Sequence, residues 1–148
     1  MSNDTIGIKC MFTRPRSLPP AYMTDGAAGA DLYAAESVVI RAGRWTLVPL
    51  GIALEIPEGF EAQIRPRSSL ALRHGITVLN APGTIDSDYR GEISVILANT
   101  GPTAYRVMEG ERIAQLVIAP VTRAAFLPSY ELAESDRGEG GFGSTGQN

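Results

Sequence analysis

The sequence predicts an all-β fold, a sandwich or barrel with one short helix. Short apolar alternations recur along the 148 residues, and glycine and proline interrupt them at close intervals. This pattern is typical of β-sandwiches and barrels and leaves little room for helix. The length suits a single core. We therefore expect one β domain at residues 1–136, followed by a flexible glycine-rich tail at 137–148.

Four segments alternate apolar and polar residues, as strands with one solvent-facing side do. Segments 50–56 and 60–64 flank a Pro-Glu-Gly turn at 57–59, which predicts a hairpin. Segments 93–97 and 114–118 repeat the alternation. These four strands form the predicted scaffold.

The predicted helix covers residues 68–74. Ser68 can cap its N-terminus, the Leu-Ala-Leu-Arg run favours helix, and Gly75 suits the C-terminal turn. Free amides at that N-terminus, next to the guanidinium of Arg67, form a natural site for a phosphate group. In isolation, an Arg-Ser-Ser run is more often a solvated turn.

Composition narrows the classes of function. The net charge of −3 argues against nucleic acid as a partner, because that partner needs a basic face. No apolar run approaches the ~20 residues of a membrane span and no leader-like segment begins the chain, so we expect a cytoplasmic protein without membrane contact. With only Cys10 and His74 available, a disulfide within the chain, a zinc site and Ser-His-Asp chemistry are disfavoured. Any metal is expected to be a hard ion held by oxygens.

The segment 80–92 is the first candidate for chemistry. Its Asp86-Ser87-Asp88-Tyr89 run predicts the tip of an exposed hairpin, whose backbone can read a pyrimidine edge and exclude an added methyl group. Asp86 can orient and deprotonate a water beside a polyphosphate. Tyr89 can stack on a sugar, whereas for Asp88 the structural role of a turn residue is favoured.

Two more polar residues lie in unusual surroundings. A bend of small residues at 26–30 delivers Asp31 into a strand, where its carboxylate can hold waters of a magnesium ion. A turn aspartate without a ligand is the alternative. Gln115 lies among apolar neighbours, so its amide must either be satisfied inside the protein or contact a ligand.

The tail has the most unusual composition of the chain. Residues 137–146 hold five glycines, two hydroxyls, one arginine and one aromatic ring. Arg137 carries a fork of donors that suits phosphate oxygens, and backbone and hydroxyl groups at 143–145 can bind the same anion. Phe142 offers a flat apolar face. We interpret the tail as a lid that closes over a nucleotide; a disordered chain end is the alternative.

In five places the sequence resembles the trimeric deoxyuridine triphosphatases, the dUTP diphosphatase or dUTPase family. The motifs occur in order over nearly the whole chain: AAGADLYAA at 27–35, PRSSLA at 66–71, GTIDSDYRGEI at 83–93, GERIAQL at 110–116 and RGEGGFGSTG at 137–146. Any one motif is loose, but five in order are highly specific. Ser69 departs from the family pattern, which usually has glycine at that position.

The resemblance implies a distorted jelly-roll subunit that assembles into a homotrimer. Active sites would be shared between chains, with each tail closing over a neighbour's site. The resemblance also implies the reaction, in which dUTP and water give dUMP and pyrophosphate by in-line attack at the α-phosphorus. Mg²⁺ on the triphosphate is the expected cofactor, and dUTP is the expected small-molecule substrate.

The resemblance also assigns roles to individual residues. Asp86 matches the water-activating aspartate, Arg67 matches a catalytic residue on the phosphates, and Asp31 matches the carboxylate near the hydrated magnesium. The backbone of 83–89 matches the uracil-reading segment, in which Tyr89 packs on deoxyribose and excludes a 2′-hydroxyl. The expected substrate contacts are Ser68, Ser69, Asn80, Gly83, Thr84, Ile85, Asp86, Tyr89, Gln115, Arg137, Phe142, Gly143, Ser144 and Thr145, with Phe142 covering the uracil.

Two rival functions stay open at this point. A dCTP deaminase, or a bifunctional deaminase-diphosphatase, shares the fold but needs a catalytic glutamate on the strand behind the hairpin. Only Glu92, at the mouth of that strand, is available. A non-catalytic β-sandwich that binds nucleotides is the other rival, against which an intact Asp86 and an intact tail argue.

Overall fold

The computed structural model describes residues 5–146, in which the chain forms eleven strands and one helix. The strands are β1 (Lys9–Phe12), β2 (Ala30–Tyr33), β3 (Val38–Ile40), β4 (Trp45–Pro49), β5 (Ile52–Glu55), β6 (Phe60–Arg65), β7 (Ile76–Val78), β8 (Gly83–Ile85), β9 (Ser94–Asn99), β10 (Tyr105–Val107) and β11 (Arg112–Pro120). The helix, α1 (Ser68–His74), lies between β6 and β7. The prediction of an all-β fold with one short helix is confirmed.

The strands pair in an antiparallel manner. A four-stranded sheet has the order β2-β11-β6-β8, and a three-stranded sheet has the order β4-β9-β7. Two further pairs join β1 to β5 and β10 to β3. Apolar side chains from both sheets form one core, whose members include Leu32, Ile64, Val48 and Leu97. The long strand β11 lies between β2 and β6 and so places the ends of these two strands side by side.

The predicted hairpin between 50–56 and 60–64 is wrong in its pairing. β5 pairs with β1, whereas β6 pairs with β11 and β8. The turn at 57–59 therefore connects the β1-β5 pair to the four-stranded sheet. The solvent-facing side predicted for the first segment is reduced to Glu55, because residues 52–54 are all buried. Ala53 is small and apolar enough to be covered where a polar residue would stay exposed.

The predicted hairpin tip at 86–89 is instead a turn between two sheets. β8 ends at Ile85 and pairs with β6, whereas β9 begins at Ser94 and pairs with β4 and β7. The Tyr89 N–H donates to the Asp86 carbonyl at 3.2 Å, so the turn itself is confirmed. The hairpin is wrong because the chain continues into the other sheet instead of returning along β8.

The helix has the predicted bounds but a different N-terminal cap. Arg67, with φ −93° and ψ 128°, occupies the N-cap position, and no side chain among the described residues caps the helix there. The prediction of Ser68 as the cap is therefore wrong, since Ser68 is already the first helical residue. At the other end Gly75 adopts the left-handed conformation and its N–H donates to the Ala71 carbonyl at 3.0 Å, as predicted.

Beyond β11 the described chain has no further helix or strand. The Val121 N–H still donates to the Gly59 carbonyl at 2.9 Å, but residues 122–139 are exposed throughout. Among residues 5–146, no helix is long and apolar enough to cross a membrane.

Candidate active site

A cavity of about 360 Å³ opens between the two sheets, beside β8 and β9. We call it the base cavity. The predicted substrate contacts that line it lie on β8 or in the turns at its ends: Asn80, Gly83, Thr84, Ile85, Asp86 and Tyr89. Ile64, Val78, Ile93 and Val95 add aliphatic walls. An apolar slot with a few polar groups on its rim is typical of sites for small ligands.

The packing of β8 accounts for its glycine. Gly83 is buried against β6, where a Cβ would lie 3.3 Å from Ile64 Cβ and 3.6 Å from Asn80 Nδ2. Glycine thus lets β8 approach β6 closely. Among the described strands β8 pairs with β6 alone, so the backbone groups on its other side are available to a ligand.

Asp86 and Tyr89 lie on the rim of the base cavity. Asp86 is exposed, and the Tyr89 side chain is half exposed. The Tyr89 hydroxyl donates to the backbone carbonyl of Glu92 at 3.0 Å. A Cβ on Gly91 would lie 2.5 Å from the hydroxyl oxygen, so the ring takes this position only beside a glycine. Local backbone therefore fixes the ring at one edge of the cavity.

Glu92 also lines the base cavity, but its carboxylate binds the N-terminal segment. Arg14 donates from Nε to Oε2 and from Nη2 to Oε1, both at 2.8 Å, and the Thr13 hydroxyl donates to Oε2. The hydrogen bonds from Arg14 and then Thr13 hold the pKa of Glu92 below its usual range. Sequence reasoning missed Arg14, because no motif marks it and it lies far from Glu92 along the chain.

A second group of predicted residues surrounds Asp31, on β2 of the larger sheet. Asp31 Oδ1 lies 3.7 Å from Arg67 Nε, and Oδ2 lies 3.0 Å from Arg112 Nη1. Arg67 Nη1 also donates to the Arg112 carbonyl at 2.7 Å. We call Asp31, Arg67, Arg112 and Gln115 the Asp31 cluster. Sequence reasoning missed Arg112, whose only signal was its place in the GERIAQL motif.

Gln115 has its amide satisfied inside the protein. Its Nε2 donates to the Pro66 carbonyl at 3.0 Å, which fixes the residue before Arg67. A Cβ on Gly29 would lie 2.4 Å from Gln115 Oε1, so the small residue at 29 makes room for this side chain. Immediately after Arg67, the side chains at 68 and 69 are exposed on the first turn of α1.

Asp86 and the Asp31 cluster lie far apart in one chain, although the cavity wall at Ile64 is in register with Leu116, next to Gln115. Ile85 on β8 pairs with Ala62 on β6, and Ala62 pairs with Ile118 on β11. Gln115 lies three residues before Ile118 along β11. A rise of ~3.4 Å per residue and ~4.8 Å between strands put Gln115 roughly 14 Å from Ile85. The chain runs from Ile85 to Asp86 in the direction away from the cluster. A single chain therefore does not bring Asp86 to the phosphate-binding residues predicted to act with it.

The predicted lid residues make local contacts within the described chain. Arg137 Nε donates to the Gly140 carbonyl at 2.7 Å, and the Ser144 N–H donates to the Gly141 carbonyl at 3.0 Å. The Phe142 ring is fully exposed. Closure of the tail over a nucleotide stays a prediction.

The donor groups near the site limit how Mg²⁺ could be held. Within residues 5–146, no three His, Cys, Asp or Glu side chains gather so that they could hold a metal ion. Asp31 is a single carboxylate that already faces two guanidinium groups. These donors fit Mg²⁺ as an ion carried on substrate phosphates and held to the protein through water, because Mg²⁺ keeps several waters and needs few carboxylates.

The structure defines an antiparallel all-β protein with a ligand-sized cavity and a separate Asp31 cluster. The sequence profile of the family described as dUTPase matches residues 17–146. The chain belongs to the dUTPase family, which confirms the resemblance seen in the five motifs.

Curated relatives carry the same family identity. A protein of Syntrophotalea carbinolica is 56% identical over 144 residues, which cover 96% of this chain and 98% of that protein. A protein of an Anaeromyxobacter species is 59% identical over 128 residues, which cover 86% of this chain and 87% of that protein. Both are named deoxyuridine 5′-triphosphate nucleotidohydrolase.

Solved structures confirm the predicted fold class. The dUTPase of Staphylococcus bacteriophage 80alpha with dUpNHpp has a TM-score of 0.90 and 26% identity, covering 97% of this chain and 100% of that one. A mutant dUTPase from phage phi11 of S. aureus, solved to show the coordination of a structural Mg(II) ion, has a TM-score of 0.80 and 20% identity. This match covers 87% of this chain and 100% of the phage phi11 chain.

Proposed function

We propose that this chain hydrolyses dUTP to dUMP and pyrophosphate by attack of a water activated by Asp86 on the α-phosphorus. The position of Asp86 carries the proposal, because an exposed carboxylate follows directly on the strand that lines the base cavity. Membership of the dUTPase family and the names of both relatives support dUTP as substrate. The reaction removes dUTP from the nucleotide pool and supplies dUMP for dTMP synthesis.

The base cavity supports recognition of uracil. The free edge of β8 offers backbone N–H and carbonyl groups to one edge of the base. Asn80 lies at the same wall, and Ile64 and Val95 supply aliphatic walls. A ring with a 5-methyl group meets these walls, which gives a steric reason for the rejection of thymine. Tyr89 supplies a ring face for deoxyribose and leaves little room for a 2′-hydroxyl.

The Asp31 cluster and the start of α1 supply the groups for the phosphates. Arg67 has a planar fork of donors, and Ser68 and Ser69 place hydroxyls one and two residues further on. In the chain Arg67 Nη1 donates to a backbone carbonyl at 2.7 Å, whereas Nε lies 3.7 Å from Asp31, beyond hydrogen-bond distance, so the rest of the fork can turn to phosphate oxygens. Mg²⁺ bound on the triphosphate supplies charge neutralisation. Asp31 is the carboxylate that would hold the waters of this ion.

A homotrimer with shared sites accounts for the separation of the two regions. In-line attack requires the base and the phosphate ligands around one phosphorus atom, whereas Asp86 lies more than about 14 Å from Gln115 within a chain. A second copy can place its Asp31 cluster against the first copy's cavity. Exposed apolar side chains in 122–136 support assembly: Phe126 is 93%, Leu127 83%, Tyr130 111% and Leu132 91% exposed.

The tail completes this assembly as a lid. Its position at the end of an exposed arm supports closure over the site of another copy. Phe142 would then cover the uracil, while Arg137, Gly143, Ser144 and Thr145 would bind the phosphates. Closure also excludes water other than the attacking one.

The rival functions have weaker support. A deaminase would use Glu92 to move protons, but Glu92 is held in an ion pair by Arg14, which lowers its pKa. A carboxylate kept ionised in this way is a poor proton donor. A purely binding β-sandwich does not account for the exposed carboxylate of Asp86 at the cavity rim.

The substrate is tested by measuring pyrophosphate release from dUTP, dTTP, dCTP and UTP with Mg²⁺, with the product bases identified by chromatography. We expect release from dUTP alone. A deaminated product from dCTP would instead support the deaminase, and no reaction with any of the four would support the binding protein.

The role of Asp86 is tested by Asp86→Asn. We expect kcat to fall roughly 100- to 10,000-fold, the usual contribution of a general base, with unchanged affinity for a non-hydrolysable dUTP analogue. Asp88→Asn is the matched control, since it removes the same charge from the same turn. Equal losses of kcat in the two variants would contradict the assignment of Asp86.

A further inference from the structure

The hydroxyl of Tyr89 depends on a partner that is itself held from a distant part of the chain. The hydroxyl donates to the Glu92 carbonyl at 3.0 Å. Glu92 belongs to neither β8 nor β9, and its peptide is held on one side by the Ile93 N–H, which donates to the Ile52 carbonyl at 2.8 Å. A second contact, on the Glu92 side chain, helps to keep the Tyr89 ring in one orientation on the cavity rim.

That contact is the two-point ion pair with Arg14. Both carboxylate oxygens of Glu92 accept from Arg14, at 2.8 Å each, and Oε2 also accepts from the Thr13 hydroxyl. The Glu92 side chain is 26% exposed and that of Arg14 38%, so the pair is partly shielded from solvent. A two-point pair fixes direction as well as distance, because the guanidinium and carboxylate planes must align.

Arg14 is itself held by a side-chain contact and by the backbone of the preceding residue. Its remaining nitrogen, Nη1, donates to Glu36 Oε2 at 3.0 Å, and the Thr13 N–H donates to the Gly51 carbonyl at 2.8 Å. The adjoining residue of that segment, Ile52, accepts from the Ile93 N–H at 2.8 Å. The arginine and the segment that it holds are therefore tied to the same part of the core.

We infer that Arg14 is a positioning residue for the nucleoside, acting through Glu92 on the ring of Tyr89. The inference rests on the proposed role of Tyr89 against deoxyribose. Loss of Arg14 removes the side-chain contact that holds Glu92 and loosens its carbonyl, and with it the Tyr89 ring, while the Ile93 N–H stays bonded to Ile52 and Asp86 stays at the end of β8. The expected effect is on binding and on the choice between dUTP and UTP, with little effect on the chemical step.

The first experiment compares Arg14→Gln with Arg16→Gln. Arg16 lies two residues away and pairs with Glu109 instead, so the same substitution there removes an ion pair that does not reach Tyr89. We expect Arg14→Gln to raise KM for dUTP about tenfold, the loss of one charge-assisted contact, and to reduce the preference for dUTP over UTP. Its kcat should stay within about twofold of wild type, and Arg16→Gln should resemble wild type. An effect of Arg14→Gln on kcat alone would overturn the inference.

The second experiment tests the path through the hydroxyl. Tyr89→Phe removes the hydroxyl but keeps the ring, so it should reproduce the Arg14→Gln change, and adding Arg14→Gln to it should change KM no further. Additive effects on KM would show that Arg14 does not act through the Tyr89 hydroxyl and would overturn the path, as would the absence of any effect of Tyr89→Phe. Tyr89→Ala distinguishes failure of the Arg14 inference from failure of the proposed role of Tyr89. Unchanged preference for dUTP over UTP in that variant would contradict the role of Tyr89 itself. If Arg14→Gln folds poorly, Arg14→Lys, which keeps the charge without the fork, should show an intermediate rise in KM.

Discussion

The base cavity and the Asp31 cluster are built in different ways. Strands of two sheets, close backbone packing at Gly83 and aliphatic side chains shape the cavity. Side chains that pair with one another form the cluster, in which Asp31 lies between two guanidinium groups and leaves one positive charge unbalanced. The cavity is therefore preformed in a single chain, whereas the cluster holds ion pairs with which a ligand would compete. On the proposed function, base recognition depends on the fold of one chain and phosphate recognition on rearrangement of ion pairs.

Mixing of inactive subunits gives the largest expected effect. Asp86→Asn removes the proposed base from the cavity side, and Arg67→Gln removes a phosphate ligand from the cluster side. Neither variant should hydrolyse dUTP appreciably alone. If each site combines the cavity of one chain with the cluster of another, random reassembly of equal amounts should restore roughly a quarter of the sites. The measurement is pyrophosphate release after joint unfolding and refolding.

The same mixture distinguishes a shared site from one within a chain. Sites built within one chain would always contain one of the two defects, so the refolded mixture would stay inactive. Simple mixing without refolding is the control, because subunits that do not exchange should show no recovery.

Removal of the tail is the next largest effect, since the tail is proposed to join the two regions. Deletion of 137–148 should lower kcat/KM roughly 100-fold, the equivalent of two or so charge-assisted contacts, without a change in melting temperature. The tail residues of the described chain bond locally and bury little surface, which is why stability should not depend on them. Steady-state kinetics and thermal unfolding of the same samples check this.

Single changes in the tail sharpen the comparison. Arg137→Gln should resemble a defect of the cluster and weaken phosphate binding, whereas Phe142→Ala should resemble a defect of the cavity and weaken base binding. Glu139→Gln, in the same tail but without a proposed substrate contact, is the control. Equal effects of all three would contradict the division of roles.

One added methyl group in each region gives a smaller effect. In Gly29→Ala the new Cβ would lie 2.4 Å from Gln115 Oε1 and 3.2 Å from Gln115 Cβ, so Gln115 must move and give up its hydrogen bond to the Pro66 carbonyl. We expect kcat/KM to fall about tenfold and the free energy of unfolding to fall by about 1 kcal/mol. In Gly83→Ala the Cβ would lie 3.3 Å from Ile64 Cβ, and this overpacking should cost about 1–3 kcal/mol of unfolding free energy. Kinetics and denaturant unfolding of both variants test the contrast. A larger stability loss in Gly29→Ala would reverse it.

Local signals in the sequence were enough for part of this picture. The helix at 68–74 and the left-handed Gly75 follow from short-range preferences that need no knowledge of the rest of the fold. The motif residues on β8 lie together at one wall of the cavity, because they are neighbours in sequence.

Long-range pairing accounts for what sequence reasoning missed. The order β2-β11-β6-β8 and the partner of β5 depend on contacts between distant strands, so a plausible turn at 57–59 led to a wrong hairpin. The pairs of Arg14 with Glu92 and of Arg112 with Asp31 join residues far apart in sequence. No alternation or motif spacing encodes such pairs, since each needs the completed fold to bring its members together.

Acid should weaken the rim of the base cavity, and this is the smallest effect that we predict. The Arg14 hydrogen bond, and then that of Thr13, keep the pKa of Glu92 lower in the folded chain than in the unfolded one. A lowered folded pKa means that the pair stabilises the protein above the unfolded value of about 4.3. That stabilisation is lost as the pH falls through the lower folded value.

Melting temperatures from pH 7 to pH 3.5 should therefore decline about 1–2 °C more in wild type than in Arg14→Gln. Arg16→Gln should follow wild type, because it leaves Glu92 paired. Parallel curves for wild type and Arg14→Gln would show that Glu92 is not held by Arg14 in solution, and the cavity rim would then rest on strand packing alone.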